Sequence, residues 1–258
     1  MAEAAQGFNN LVRRENTAWW RSARWLILAV VATAALAGFT ALVLFVVPQV
    51  AAAQGEPLAA AEQLEAGINS FFGLAFLGAA VATVILTQDA IIGERQSGTA
   101  EWVLSKPVSR SAYVLSKLLA HGAGILVALI LIPCAVGYAL FAIKVGGVYP
   151  VAGYVAAVGV LALHTLFYLV LSLLMGVLTE QRGVLLAVTL GSALGGLVLV
   201  NLLGSVALVT PWALTNVAVA LASAGELPPA LIVPVVSPAL LTAAALIVAL
   251  VRFNRVEL

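Results

Sequence analysis

The sequence predicts an all-α integral membrane protein with six transmembrane helices, from its composition and the length of its apolar runs. Of its 258 residues, 63% are hydrophobic and only 9% are charged, whereas soluble domains carry about 25% charged residues. Six segments reach the roughly 20 apolar residues that a helix needs to cross a bilayer. They are continuously apolar rather than alternating, which favours helices. The segments are Trp25–Val50, Ile68–Ala90, Ser111–Val145, Val151–Leu178, Gly183–Val209 and Ala230–Val251.

The basic residues orient these helices. Lys and Arg concentrate in cytoplasmic loops, and eleven of the twelve in this sequence lie on one side of a six-helix arrangement, with Lys144 as the exception. We therefore expect a single transmembrane domain, residues 1–258, in the cell (inner) membrane with both termini in the cytoplasm. The eleven are Arg13, Arg14, Arg21, Arg24, Arg95, Lys106, Arg110, Lys117, Arg182, Arg252 and Arg255.

Residues 8–24, before the first span, have the pattern of an amphipathic helix. Apolar residues recur at roughly helical spacing between arginines, and such a helix lies in the membrane interface with its tryptophans at headgroup depth. The alternative is a plain basic flank, and the periodicity favours the helix. The apolar residues are Phe8, Leu11, Val12, Trp19 and Trp20.

The connection between the second and third spans, residues 91–110, is the most polar stretch and is predicted to be cytoplasmic. We expect Ser97 or Thr99 to cap a short helix over Ala100–Leu104. Glu101 lies in the first turn of that helix, where an acidic residue is favourable. The connection is therefore predicted to contain a short transverse helix.

Glycine, proline and serine residues delimit this short helix. Gly93 and Gly98 allow turns before it. Pro107 ends it, because a residue that precedes proline disfavours the helical conformation. Ser109 is expected to cap the helix that continues into the third span.

Trp102, Val103 and Leu104 form an apolar group on this short helix. An apolar group on a cytoplasmic loop needs a surface to pack against. A partner protein meets that need, and so do lipid headgroups or the cytoplasmic helix ends of the same chain. The residues alone do not choose between these alternatives.

Residues 210–229, between the fifth and sixth spans on the outer side, are too apolar for a free loop and carry prolines near both ends. A re-entrant or interfacial pair of short helices fits this pattern, since irregular backbone at membrane depth needs protein or a water-filled cavity around it. The alternative is a short amphipathic cap on the outer surface.

Three consecutive motifs give the chain a family resemblance. GERQSGT at residues 93–99, LSKPVSR at residues 104–110 and the segment Tyr113 to Lys117 resemble the ABC-2 type permeases. The resemblance implies an N-terminal amphipathic helix, six spans and short re-entrant helices before the last span. It also implies that the 94–110 loop carries a coupling helix that docks on an ATP-binding subunit.

The resemblance implies the function and partners as well. The chain would be the transmembrane subunit of an ATP-binding cassette transporter, working with a second permease copy (a homodimer or a related chain) and without nucleic acid. It contains no G-x-x-x-x-G-K-[ST] phosphate loop, so ATP and Mg are expected in a separate subunit and no cofactor in this chain. The docking residues would be Glu94, Arg95, Gly98, Thr99, Glu101, Trp102 and Leu104.

A few residues inside the spans are candidates for a translocation path or a dimer face. His164 and Asn201 are polar groups deep in the fourth and fifth spans, where they either line a path or bond neighbouring helices. Gly191 and Gly195 form a G-x-x-x-G pair that suits a dimer face or packing within one chain. Asp89, near the end of the second span, suggests an ion path or, more simply, a carboxylate that is either solvated or paired with Arg95.

Other function classes have less support. A secondary transporter without ATP, or a membrane-embedded scaffold, is the first alternative, although the former is expected to show intramembrane charge and internal repeats. An intramembrane enzyme comes last. His164 and Ser172 lie about two turns apart, Asp89 is the only aspartate, and no ligand-spaced cluster for a metal is present. We expect no catalytic residue in this chain.

Overall fold

The computed structural model describes residues 2–224 and 231–255, and that part of the chain is helical without strands. Two short 3-10 segments lie between Leu202 and Leu214, at Gly204–Val209 and Pro211–Ala213. The helices are α1 (Ala2–Arg21), α2 (Arg24–Ala53), α3 (Ala60–Gln96), α4 (Thr99–Leu104), α5 (Arg110–Val145), α6 (Val151–Leu178), α7 (Arg182–Leu202), α8 (Leu214–Ala224) and α9 (Ile232–Phe253).

Five of the described helices, α2, α3, α5, α6 and α9, are long and apolar enough to cross a membrane. The predicted bounds of α6 are confirmed residue for residue, whereas α3 extends beyond its predicted span at both ends. The predicted fifth span, Gly183–Val209, is wrong at its end. Helix α7 stops at Leu202 because Gly204 has a positive φ of 52° that breaks the helix.

Helices α2 and α5 each contain a wide π turn just before a proline. Pro48 has no N–H to donate to the Leu44 carbonyl four residues earlier. Lys144 Nζ at the end of α5 donates to that oxygen instead, at 2.8 Å. The lysine that departs from the charge rule thus completes the backbone bonding of α2.

The two ends of the bundle have different chemistry. At the end of the bundle where α9 finishes, charged side chains pair with one another, and we call it the charged end: Arg14, Glu15, Asp89, Glu94, Arg95, Lys117, Glu180 and Arg182. The opposite end packs six rings edge to face or tilted, and we call it the aromatic end: Phe71, Phe72, Tyr138, Phe141, Tyr149 and Tyr154.

Helix α1 packs along the first half of α5. Leu11 is buried, and Trp19 lies so close to Gly124 that a Cβ on that glycine would be 2.0 Å from the ring. The structure thus has a helix at Ala2–Arg21 where residues 8–24 were predicted, and part of its apolar face contacts protein. Its position at a membrane surface stays a prediction.

The segment before α9 is a 3-10 turn followed by α8, which packs against α3 and α6. Leu214, Val217 and Leu221 are buried in the main apolar core. The predicted segment 210–229 thus contributes to the core, while residues 225–230 lie outside the described part of the chain.

Candidate functional site

Helix α4 presents two different faces. Ala100 and Val103 are buried against the charged end, while Trp102 is 63% exposed and Glu101 points to solvent. The expected single apolar group is therefore divided, because adjacent helical residues point in different directions. Lys106 Nζ lies 5.2 Å from the centre of the Trp102 ring.

The start of α4 differs from the prediction. Gly98, with a φ of 71°, is the N-cap, and no side chain caps the helix. Ser97 and Thr99 bond to each other through their hydroxyl oxygens at 2.9 Å, and Thr99 is the first helical residue. The predicted cap was wrong because a left-handed glycine supplies the turn. Ser109 does cap α5, accepting from the Ala112 N–H at 3.1 Å.

Glu94 points into the protein rather than to the surface. Its carboxylate lies 3.0 Å from Lys117 Nζ and accepts a 2.6 Å hydrogen bond from the Tyr113 hydroxyl. Lys117 is only 2% exposed and also pairs with Glu15 of α1 at 3.3 Å. This cluster joins α1, α3 and α5, so the geometry gives Glu94 a structural contact within the chain.

Arg95 also bonds inside the chain. Its guanidinium pairs with Glu180 at 2.6 Å and donates to the Val177 carbonyl at 3.4 Å, at the end of α6. Asp89 pairs instead with Arg182 Nε, at 2.6 Å with both side chains about half exposed. Of the two simple expectations for Asp89, the solvated carboxylate agrees with its half-exposed side chain. The pair with Arg95 was wrong, because the end of α6 and the start of α7 bring nearer partners to each residue.

The predicted docking residues thus form two groups. The first group is on the surface: Gly98, Glu101 and Trp102 are exposed, and Thr99 and Leu104 are half-buried. The second group is Glu94 and Arg95, whose side chains turn inward. The sequence interpretation missed Glu15, Tyr113 and Glu180 as their partners. Lys117, a charge in an apolar helix, was the signal that a buried counter-charge was needed.

His164 is buried in the middle of α6. Its Nδ1 lies 3.2 Å from the carbonyl oxygen of Pro211, so the ring donates a hydrogen bond to the segment before α8. The ring also lies 4.7 Å from that of Phe76. The bond to a neighbouring segment, one of the two expectations for His164, is therefore present, while a place in a translocation path stays a prediction.

The glycines of α7 differ among themselves. A Cβ at Gly191 would meet no described atom within 4 Å, and one at Gly195 would meet only Leu199 of the same helix. Gly196 instead lies against Trp212, and a Cβ at Gly196 would be only 2.1 Å from the tryptophan ring. Close packing within one chain therefore uses Gly196, and the Gly191–Gly195 face is open. The Asn201 side chain is outside the described structure.

Residues suited to a metal are absent from the described ranges 2–224 and 231–255, where no group of three or more His, Cys, Asp or Glu could hold an ion. Cys134 is buried and free. The polar groups gathered at the charged end bond to one another, which is an arrangement for holding helices together.

Comparison with known sequences identifies the family. No curated protein matches the chain. The sequence model of one family, described as ABC-2 family transporter protein, matches residues 20–258. That match covers α2 through α9 and nearly the whole chain, in agreement with the five long apolar helices. The chain therefore belongs to the ABC-2 family of transporter proteins and is a multi-pass membrane component of a transporter.

Proposed function

We propose that this chain is the transmembrane subunit of an ATP-binding cassette transporter. It has six spans, of which α7 is the fifth. It lies in the inner membrane with both termini in the cytoplasm, and a second permease copy is its neighbour. ATP and Mg bind to a separate subunit. Membership of the ABC-2 family supports this arrangement, since that family generally works with an ATP-binding subunit.

The exposed face of α4 is the observation that carries the docking proposal. Trp102 is 63% exposed and lies next to Glu101 and Lys106, so α4 presents an aromatic side chain flanked by charged ones. Buried aromatic anchors surrounded by polar residues dominate many protein interfaces. We assign the contact to Glu101, Trp102 and the neighbouring Gly98, Thr99 and Leu104, and give Glu94 and Arg95 a supporting role.

The charged end supports rigid transmission of the movement. Ala100 and Val103 anchor α4 in the core of that end. The Glu94–Lys117 and Arg95–Glu180 pairs connect the end of α3 to α5 and α6. A displacement of α4 by the ATPase subunit would therefore move three spans together, as packed rigid elements do.

Co-purification with the ATP-binding subunit tests the proposal. The chain is expressed together with its neighbouring gene products, and the recovery of a subunit that carries a phosphate loop is measured relative to the chain. Trp102→Glu should abolish recovery of the ATPase subunit. Trp20→Ala, which changes another exposed tryptophan in α1, should leave recovery unchanged.

Two outcomes contradict the proposal. Full recovery with Trp102→Glu would remove α4 from the interface. Transport by the purified chain alone, without ATP, would favour a secondary transporter instead.

A further inference from the structure

A cavity of about 230 Å³ lies between α3, α6, α7 and the segment that leads into α8. Three rings line it, those of Phe76, His164 and Trp212. Small and aliphatic residues such as Gly73 and Ala193 form the rest of its apolar wall, while Thr215 and Asn216 bring a hydroxyl and an amide to it. The cavity therefore combines flat aromatic surfaces with a small number of polar groups, which is typical of ligand sites.

The lining determines the charge of a suitable ligand. None of the described lining residues is Asp, Glu, Lys or Arg. A charged molecule would lose its hydration there without gaining an opposite charge. An uncharged molecule with one hydrogen-bonding group would lose less, because Thr215 and Asn216 offer both donors and acceptors.

The size and shape of the cavity limit the ligand further. A protein cavity of about 150 Å³ accepts a benzene molecule, so one of this volume accepts about nine or ten non-hydrogen atoms. The three rings favour a flat aromatic body in offset or edge contact. His164 is held in place by its bond to Pro211, so the aromatic wall is formed before a ligand arrives.

We propose that this cavity binds a small, uncharged aromatic molecule that carries one hydrogen-bonding group. The aromatic body lies among Phe76, His164 and Trp212, and the polar group faces Thr215 and Asn216. Binding does not depend on the proposed function. The role of such molecules as cargo, alone or as aromatic parts of larger molecules, rests on the proposed function.

Indole NMR of the full chain in lipid nanodiscs tests binding without an ATPase subunit. The protein has five tryptophans, and the Trp212 N–H signal is assigned by its loss in Trp212→Phe. Titration with 1-indanone should shift that signal saturably and leave the other four unchanged. Absence of a saturable shift at Trp212 overturns the proposal.

Two glycines of α3 give matched variants. A Cβ at Gly73 or Gly78 would meet no described atom within 4 Å, so both positions have space next to the backbone, but only Gly73 lines the cavity. Gly73→Leu should abolish the shift, and Gly78→Leu should preserve it. An unchanged titration in Gly73→Leu would place the binding elsewhere, in lipid for example.

The charge requirement has its own test. The probe 1-aminoindane has the size of 1-indanone and carries a positive charge at neutral pH. It should bind at least about tenfold more weakly, because the described lining of the cavity offers no counter-charge. Equal affinity would contradict an uncharged ligand class. Equal affinity of indane, which has no polar group, would contradict the role of Thr215 and Asn216.

Discussion

Helix α5 carries a lysine near each end, and the two are held in opposite ways. Lys117, at the charged end, is 2% exposed and lies between the carboxylates of Glu94 and Glu15. Lys144, at the aromatic end, donates to a backbone carbonyl and to the amide oxygen of Gln63. One lysine neutralises buried charge between helices, and the other replaces a hydrogen bond that a proline removed.

The same contrast extends to the two ends as a whole. All five ion pairs of the described ranges lie at the charged end. At the aromatic end, tyrosine hydroxyls donate to carbonyls, from Tyr154 to Cys134 and from Tyr138 to Tyr149. A buried ion pair is costly when one partner is lost, whereas ring packing is lost gradually. The charged end should therefore be the more sensitive to single substitutions.

The largest effect is expected for Lys117→Met. It leaves Glu94 and Glu15 without their buried counter-charge, which costs about 3–5 kcal/mol. Thermal unfolding, monitored by size-exclusion chromatography, should show a greatly reduced midpoint temperature. The double variant Lys117→Met with Glu94→Gln should regain part of the loss. No recovery in the double variant would show that packing, and not charge, determines the effect.

A pair of glycines in α5 tests how α1 is attached. Gly124→Ala forces a Cβ into the Trp19 ring and should cost about 1–3 kcal/mol by overpacking. Gly122→Ala adds a Cβ at an ordinary 3.5 Å from Leu169 and should have little effect. The measurement is trypsin cleavage after Arg13 and Arg14, which should accelerate in the first variant alone. Equal cleavage in both would mean that α1 is not held by this contact.

Much of this contrast could be predicted from the sequence, but the partners could not. Hydropathy predicted the bounds of α6, because a lipid-length apolar run has few other conformations available. The Asp89–Arg182 pair depends on where α7 packs against α3, which no local pattern encodes. The division of Trp102 from Val103 was missed because a helix of six residues has too few turns to establish a periodicity.

The sequence showed that Lys144 is an exception to the charge rule, but it did not show what the lysine bonds to. Charge counting identified it as a departure from the orientation rule. Its bond to Leu44 requires knowing that the chain passes α2 beside the end of α5. Likewise, the closeness of Gly196 to Trp212 joins α7 to a segment that the sequence describes only as apolar and broken by prolines.

A double-mutant cycle of Lys144 and Pro48, at the aromatic end, tests whether the lysine replaces the hydrogen bond that the proline removes. Lys144→Met should cost about 1–3 kcal/mol, because it leaves the Leu44 carbonyl without its donor. Pro48→Ala restores an N–H that can reach the same carbonyl. The cost of Lys144→Met should therefore be smaller in the Pro48→Ala background, as a double-mutant cycle of unfolding midpoints would show. Additive effects would contradict the replacement of one bond by the other.

The smallest effect is expected from a single hydroxyl at the aromatic end. Tyr154→Phe removes the 2.7 Å bond to the Cys134 carbonyl and keeps the ring. Because the ring still packs against Phe72 and Tyr138, the loss should be about 1 kcal/mol. Unfolding of the variant in detergent gives the value, with Tyr154→Leu as the control that also removes the ring contacts. If Tyr154→Phe were as damaging as Lys117→Met, the aromatic end would depend on its polar bonds as much as the charged end does, and the contrast between the two ends would fail.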